Sequence, residues 1–519
     1  MTGGSAGSIT AAMVGRILLH DAGQRGILHE AWVERADVDT MMAQPSPSAL
    51  FSHALQEELG QEYVKGSERF PLNDGNPSSC APKKLYFSFS LANMVGIDYG
   101  LKYASTNTVV TADNVFPSTF FSDKFKETVV AGQSTDAAQW RRIAAAGIAS
   151  GSFPVAFPPY FVARKAGDFP GSLPPVVGQT TILPGDHAVS DGGMFDNEPV
   201  REAVMLSREQ DGGVLSPCRI FLLVDPNLNS SKQNADFFRP EAAPGSFLGN
   251  GLFANVKRLG EMALAEAEAK DWLRVGRVNT QLAWRDAFVS QLGATMQVLP
   301  DDSVAGLKTE IDAQVETIVA KKRELARDSG RDFDPNYLKT RLLRVAAHHA
   351  DQIEAITAAP ADLRQQLFVR NVFVLNNIAV LDSKRPMNLF AIGAKGEQTA
   401  GDALFALAGF FEQTWREHDY RLGRRNAHRL LPEFLAIPDY DREGGATGHN
   451  RQYDPEPNWP DMGAITMADA PDGKRRKFID LVVADADRVL ASEPINMNGF
   501  YRFFARWKIR SIVEKKLGL

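Results

Sequence analysis

The chain has 519 residues, 44% of them hydrophobic, which excludes wholesale disorder and leaves room for two or more packed units. Its formal net charge of -6 gives no general attraction to nucleic acid or to anionic membrane, so any such contact has to come from a local patch. Two cysteines, Cys80 and Cys218, lie far apart in no metal-type spacing, which argues against a disulfide framework and fits a reducing compartment.

The opening Met1-Thr2-Gly3-Gly4-Ser5 has no basic stretch followed by an apolar run, so no secretory signal is visible. Ile9, Met13, Val14 and Ile17 recur at helical spacing directly after the glycine-rich start, predicting a tight turn at a helix N-terminus. Leu85 to Leu91 and Asn107 to Ala112 read as short strands, and Trp140 to Ser150 as a helix entering a turn. The uncharged stretch from Ile143 to Ala163 is long enough for a membrane span. Gly147, Gly151, Pro154, Pro158 and Pro159 interrupt it, so helix end, turn and buried strand are expected instead. The expectation is a cytoplasmic or peripheral membrane protein without a transmembrane helix.

Cys218 to Pro226 carries the unbroken apolar run of a strand buried on both faces. Strands alternating with helices imply an α/β core. From about Asn255 the chain turns to long alanine-, glutamate- and arginine-rich amphipathic helices. Gln366 to Asn376 is apolar enough to return to the sheet, and Tyr440 to Asp472, rich in Pro, Gly and Asp, reads as an irregular loop. The expected division is 1–235, a helical insertion at 236–365, and a mostly helical region at 366–519.

Gly3-Gly4-Ser5-Ala6-Gly7 matches the G-x-S-x-G nucleophile elbow, where small residues let a strand turn sharply into a helix and expose the serine hydroxyl. The same composition also suits a disordered terminal tail. A second signal lies in Ala144 to Val162, followed by Ser190 to Val200, with its Asp191-Gly192-Gly193 turn. Together these resemble the conserved blocks of patatin-like phospholipases, in which a small-residue run ending in FPP leads to an Asp-Gly-Gly turn. The resemblance implies a three-layer α/β/α core with additional helices, and acyl-ester hydrolysis of lipids, phospholipids being the family's substrates. It maps the nucleophile onto Ser5 and its acid partner onto Asp191, with Gly3, Ala6, Gly7, Gly192 and Gly193 in support, and implies no cofactor and no metal. A second Asp-Gly-Gly, at Asp211, lacks the flanking context and reads as an ordinary turn. Asp402 to Leu431 is similar to the C-terminal segment of larger bacterial members, and as a bare sequence it reads as an amphipathic helix.

A Ser–Asp dyad needs no histidine if the carboxylate reaches the hydroxyl. His187, His348, His349, His418 and His428 are the candidates for a rival Ser-His-Asp arrangement, and none sits in a supporting motif. The family's glycine-rich oxyanion loop appears nowhere. Only four residues precede Ser5, too few for the strand that normally feeds the elbow, leaving the Ala6 amide as the remaining oxyanion donor. The expectation is therefore a natural chain extending upstream, with a catalytically impaired scaffold or membrane-binding protein as the alternative. In the last twenty residues Phe500, Phe503, Phe504 and Trp507 share a helical face among six basic residues. That segment suits either a membrane interface, through residues 498–519, or packing on the protein's own core.

Overall fold

The computed structural model describes residues 1–20, 26–43, 46, 48–73, 77, 81–102, 115–154, 156–164, 184–196, 198–211, 216, 219–227, 252–328, 332–381, 384, 387–394, 399–400, 408–434, 467–491 and 497–519. The fold is mixed α/β. The chain opens with β1 (Thr2–Gly3), turns at Ser5 and enters α1 (Ala6–His20). Ile9, Ala12, Met13 and Leu19 are buried along one stripe of that helix. Short helices α2 (Ile27–His29), α3 (Val38–Met42) and α4 (Ala54–Gly60) follow, then the long strands β2 (Lys84–Lys102) and β3 (Val115–Val130). Helix α5 (Ala137–Ser150) starts on an Asp136 cap, whose carboxylate accepts the Ala138 amide at 2.8 Å. The stretch after it runs through a turn into β4 (Tyr160–Arg164) as expected, but that strand is not fully buried: Val162 is buried while Phe161 is 65% exposed.

Strand β5 (Gly185–Asp191) leads into α6 (Gly193–Asp196) and α7 (Val200–Gln210). Among the described residues the main sheet has five strands. β3 pairs antiparallel along one edge of β2, in register from Lys84↔Val130 to Ala92↔Ser122, with a bulge before Ile97↔Phe120. The other edge of β2 is shared by two strands. β1 runs parallel to it, Thr2↔Ser88 and Gly3↔Phe89, and β5 runs antiparallel, from Asn93↔Val189 to Leu91↔Asp191. The C-terminal ends of β1 and β5 therefore point at each other across Ser90. Beyond β5 lies β4, antiparallel to it. Leu85, Phe87, Phe89 and Leu91 alternate onto one buried face of β2, where α1 and α5 cover them. Gly15 permits the close approach of α1, since a Cβ there would stand 2.4 Å from Phe87.

Three further expectations need correction. A strand does feed the elbow: two residues suffice because Met1 O also accepts the Ser88 amide at 3.0 Å, extending the pairing. The run after Cys218 forms β6 (Ile220–Asn227), but among the described residues it pairs with β7 (Asn388–Ala394) alone, in a separate parallel sheet. It is not buried on both faces: Phe221 is buried, whereas Ile220 and Val224 are 50% and 70% exposed. Gln366 to Asn376 is no strand but the middle of a helix. The Asn107–Ala112 run, both cysteines and residues 440–466 of the expected loop lie outside the described residues.

The amphipathic stretches form α8 (Leu252–Val298), α9 (Asp301–Asp328), α10 (Tyr337–His348), α11 (Ala350–Glu354) and α12 (Ala361–Ile378). These helices bury a core of their own, including Val289, Val304, Val315, Leu367, Phe368, Val372 and Phe373. That core takes α12 as a helix despite its strand-like composition. Helix α13 (Gln413–Phe434) returns to the first core, where Arg416 Nε donates to Val33 O at 2.8 Å. Helices α14 (Asp472–Ala491) and α15 (Gly499–Lys516) close the described chain. No helix among the described residues is long and apolar enough to cross a membrane.

Candidate active site

Ser5 occupies the junction of β1 and α1 with φ of 50°, a left-handed backbone that costs a non-glycine residue about 1 kcal/mol. The turn is closed by Gly7 N donating to Gly4 O and Ser8 N donating to Ser5 O, each at 3.0 Å. Gly3 is required by space, because a Cβ would stand 2.6 Å from Ser8 Cα. Gly7 is not, for its Cβ would meet nothing within 4 Å. The exposed Ala6 begins the helix beside the serine, so its amide is among those the α1 N-terminus leaves without a helical acceptor.

The facing strand ends deliver the acid to this turn. Ser5 Oγ donates to Asp191 Oδ2 at 2.7 Å, across 186 residues of sequence. The second carboxylate oxygen, Oδ1, accepts the Gly193 amide at 2.7 Å, so both oxygens are held. The backbone of the turn is sewn to the end of α5, with Asp191 N donating to Ser152 O at 3.1 Å and Gly192 N to Ser150 O at 3.3 Å. Gly192 does make a close backbone approach, but to Ser90 of β2, not to the elbow. A Cβ on it would stand 1.9 Å from the Ser90 carbonyl oxygen.

Asp191 is 2% exposed, and burial pushes its carboxyl up to about 6 while the Ser5 hydroxyl and Gly193 amide pull it down. The unfolded carboxyl titrates near 3.8. The native state therefore keeps a proton that the unfolded chain releases between about pH 4 and pH 6. Stability from this residue is full below pH 4, is lost as pH rises to 6, and totals about 3 kcal/mol.

Several supporting residues carry no sequence motif. Ser8 Oγ donates to Ser150 Oγ at 2.8 Å, which donates in turn to Ser90 O at 2.7 Å, joining α1, α5 and β2 directly behind the dyad. Buried His53 meets Ser152 Oγ at 2.9 Å, and burial lowers its pKa to about 4, so it acts as a neutral brace. Lys124 of β3 donates to Ser90 Oγ at 2.9 Å and pairs with Asp196 of α6, clamping the helix after Asp191.

The candidate histidines go elsewhere. His187 hydrogen-bonds Asn93 at 2.8 Å inside a buried cluster with Asp123 and Arg164, and His418 pairs with Asp419. The side chain of His428 lies outside the described residues. Asp211 sits past the end of α7, where its carboxylate accepts the Ser216 amide at 2.9 Å and pairs with Arg219, which holds its pKa low. That is the turn its context predicts, and its electrostatics are the reverse of those at Asp191.

Folding also assembles Asp286, His348 and His349, whose ligand-type atoms lie within 4.8 Å of one another. Arg285 pairs with Asp286 at 2.6 Å and reaches within 3.4 Å of His348 Nε2, so a guanidinium already supplies the positive charge there. Comparison with protein-family models, with curated proteins and with solved structures returned no match for the chain.

Proposed function

We propose that the protein is a serine acyl hydrolase of the patatin-like type, cleaving acyl esters of lipids through a Ser5–Asp191 dyad on a three-layer α/β/α core. The observation that carries this reading is the 2.7 Å hydrogen bond from a serine in a left-handed elbow to a buried carboxylate. In the reaction Asp191 Oδ2 accepts the hydroxyl proton as Ser5 Oγ attacks the ester carbonyl. The tetrahedral oxyanion forms beside the Ala6 amide at the positive end of α1. Collapse breaks the bond to the leaving alkoxide, which takes the proton from Asp191, and an acyl-serine remains. Water then repeats the sequence, giving its proton to Asp191 and freeing the fatty acid and Ser5.

A fluorophosphonate probe tests the nucleophile without presuming the substrate. The phosphorus bonds to Ser5 Oγ with loss of fluoride, and the expected result is a single adduct mapped by mass spectrometry to the peptide containing Ser5, absent in Ser5→Ala. An unlabelled wild-type protein would count against the reading. The raised carboxyl supplies a further check: kcat/KM for a p-nitrophenyl ester should rise through an apparent pKa of about 6 and stay level above it. A rising limb near pH 4 would mean that Asp191 is not the base.

A further inference from the structure

Helix α15 is mounted by one face and leaves another in solvent. Ile509 and Val513 pack against the main core, Leu517 is fully buried, and buried Arg475 holds the Leu517 carbonyl at 2.7 Å. Arg502 Nε and Nη2 each meet Asp487 at 2.9 Å, and Arg510 pairs with Asp480, so α14 holds the helix along its length. The mounting fixes which way the aromatic residues point. Phe503, Phe504 and Trp507 are 59%, 51% and 64% exposed, so these three rings of the stripe face solvent, while the side chain of Phe500 lies outside the described residues. Such rings are normally covered in a soluble protein.

Charge decides what fits. The helix carries six basic residues against one acidic residue, but Arg502 and Arg506 pair with Asp487 and Arg510 with Asp480, so the charge it offers a surface rests on its lysines. Exposed Lys508 lies beside the aromatic stripe, with exposed Lys515 two turns further along the helix. Aromatic rings that enter the acyl–headgroup boundary, edged by ammonium groups at headgroup height, are the arrangement of an interfacial helix. We propose that α15 is a docking element for an anionic phospholipid surface, lying in the plane of the interface with Phe503, Phe504 and Trp507 inserted. This stands independently of the hydrolase reading, and would bring either a lipid hydrolase or a scaffold to its membrane.

Co-sedimentation of the full chain with phosphatidylcholine vesicles, with and without phosphatidylglycerol, is the test. Wild type should partition onto the mixed vesicles and bind pure phosphatidylcholine at least about tenfold more weakly. The triple variant Phe503→Ser, Phe504→Ser, Trp507→Ser should lose about 30-fold or more of its partitioning. The pair Lys508→Ala, Lys515→Ala, which spares the aromatic residues, should lose about tenfold and bind with less sensitivity to salt. Wild type that stays in the supernatant, or a triple variant that binds equally well, overturns the proposal. So does light scattering that finds wild type dimeric and the triple variant monomeric with unchanged vesicle binding, since the stripe would then belong to a second copy. Hydrolysis of a soluble short-chain ester should be the same in wild type and both variants, so failure of the docking element is distinguishable from failure of the active site.

Discussion

Asp191→Asn is expected to lower kcat/KM for ester hydrolysis by about 10³-fold or more, and at the same time to raise the melting temperature at pH 8. The rate falls because asparagine has no lone pair basic enough to take the Ser5 proton. Stability rises because the wild-type carboxylate is ionised at pH 8 in a site that is 2% exposed, whereas the amide carries no charge into it. The isosteric side chain keeps an oxygen for the Gly193 amide. The gain should approach about 3 kcal/mol at pH 8 and vanish at pH 4, where the native carboxyl is protonated in any case. Paired thermal melts at the two pH values, beside the ester assay, make the measurement. A variant less stable than wild type at pH 8 would show that the ionised carboxylate is net stabilising, and the account of its raised pKa would fall.

Gly192→Ala is expected to cost about 3 kcal/mol or more of folding stability. The added methyl would stand 1.9 Å from the Ser90 carbonyl oxygen and 2.6 Å from the Leu91 nitrogen, both backbone atoms of a strand that is paired along its two edges. Neither can move without breaking ladder hydrogen bonds. Gly7→Ala is the matched control from the other glycine motif. Its Cβ enters open space near the start of α1, so it should leave stability within about 1 kcal/mol of wild type. Urea midpoints at constant m-value would separate the two, and a Gly192→Ala midpoint close to wild type would refute the close-approach argument.

The two ends of the dyad were legible as local chemistry. Glycines around Ser5 and Asp191 announce turns, and helical periodicity begins at once after the first. What joins them was not legible, because strand pairing is a non-local choice that no window of sequence contains. Nothing in Thr2–Gly3 indicates a strand, and only the register with Ser88 and Phe89 makes it one. The same blindness explains α12: Leu367, Phe368, Val372 and Phe373 have the branched and aromatic character of a strand, but the partners that bury them are helices α8 to α10. It also hid His53, Lys124 and the serines behind the site, single common residues whose importance comes from the atoms they reach. The run at β6 failed in the opposite sense, since an unbroken apolar sequence does not reveal how many of its faces will be covered.

The convergence of β1 and β5 on one edge of β2 also has a bearing on timing. The serine and its acid are separated by 186 residues, and β1 and β5, the second of which can already pair with β4, are brought together by the edge of β2 that both share. Closing such long loops is entropically costly and comes late on a folding route. Under the proposed function, a nascent or partly unfolded chain holds an ordinary serine hydroxyl, and the hydrogen bond to Asp191 that would activate it arrives with the completed sheet. The proposed nucleophile would thus stay latent through the stage at which stray acylation is hardest to prevent.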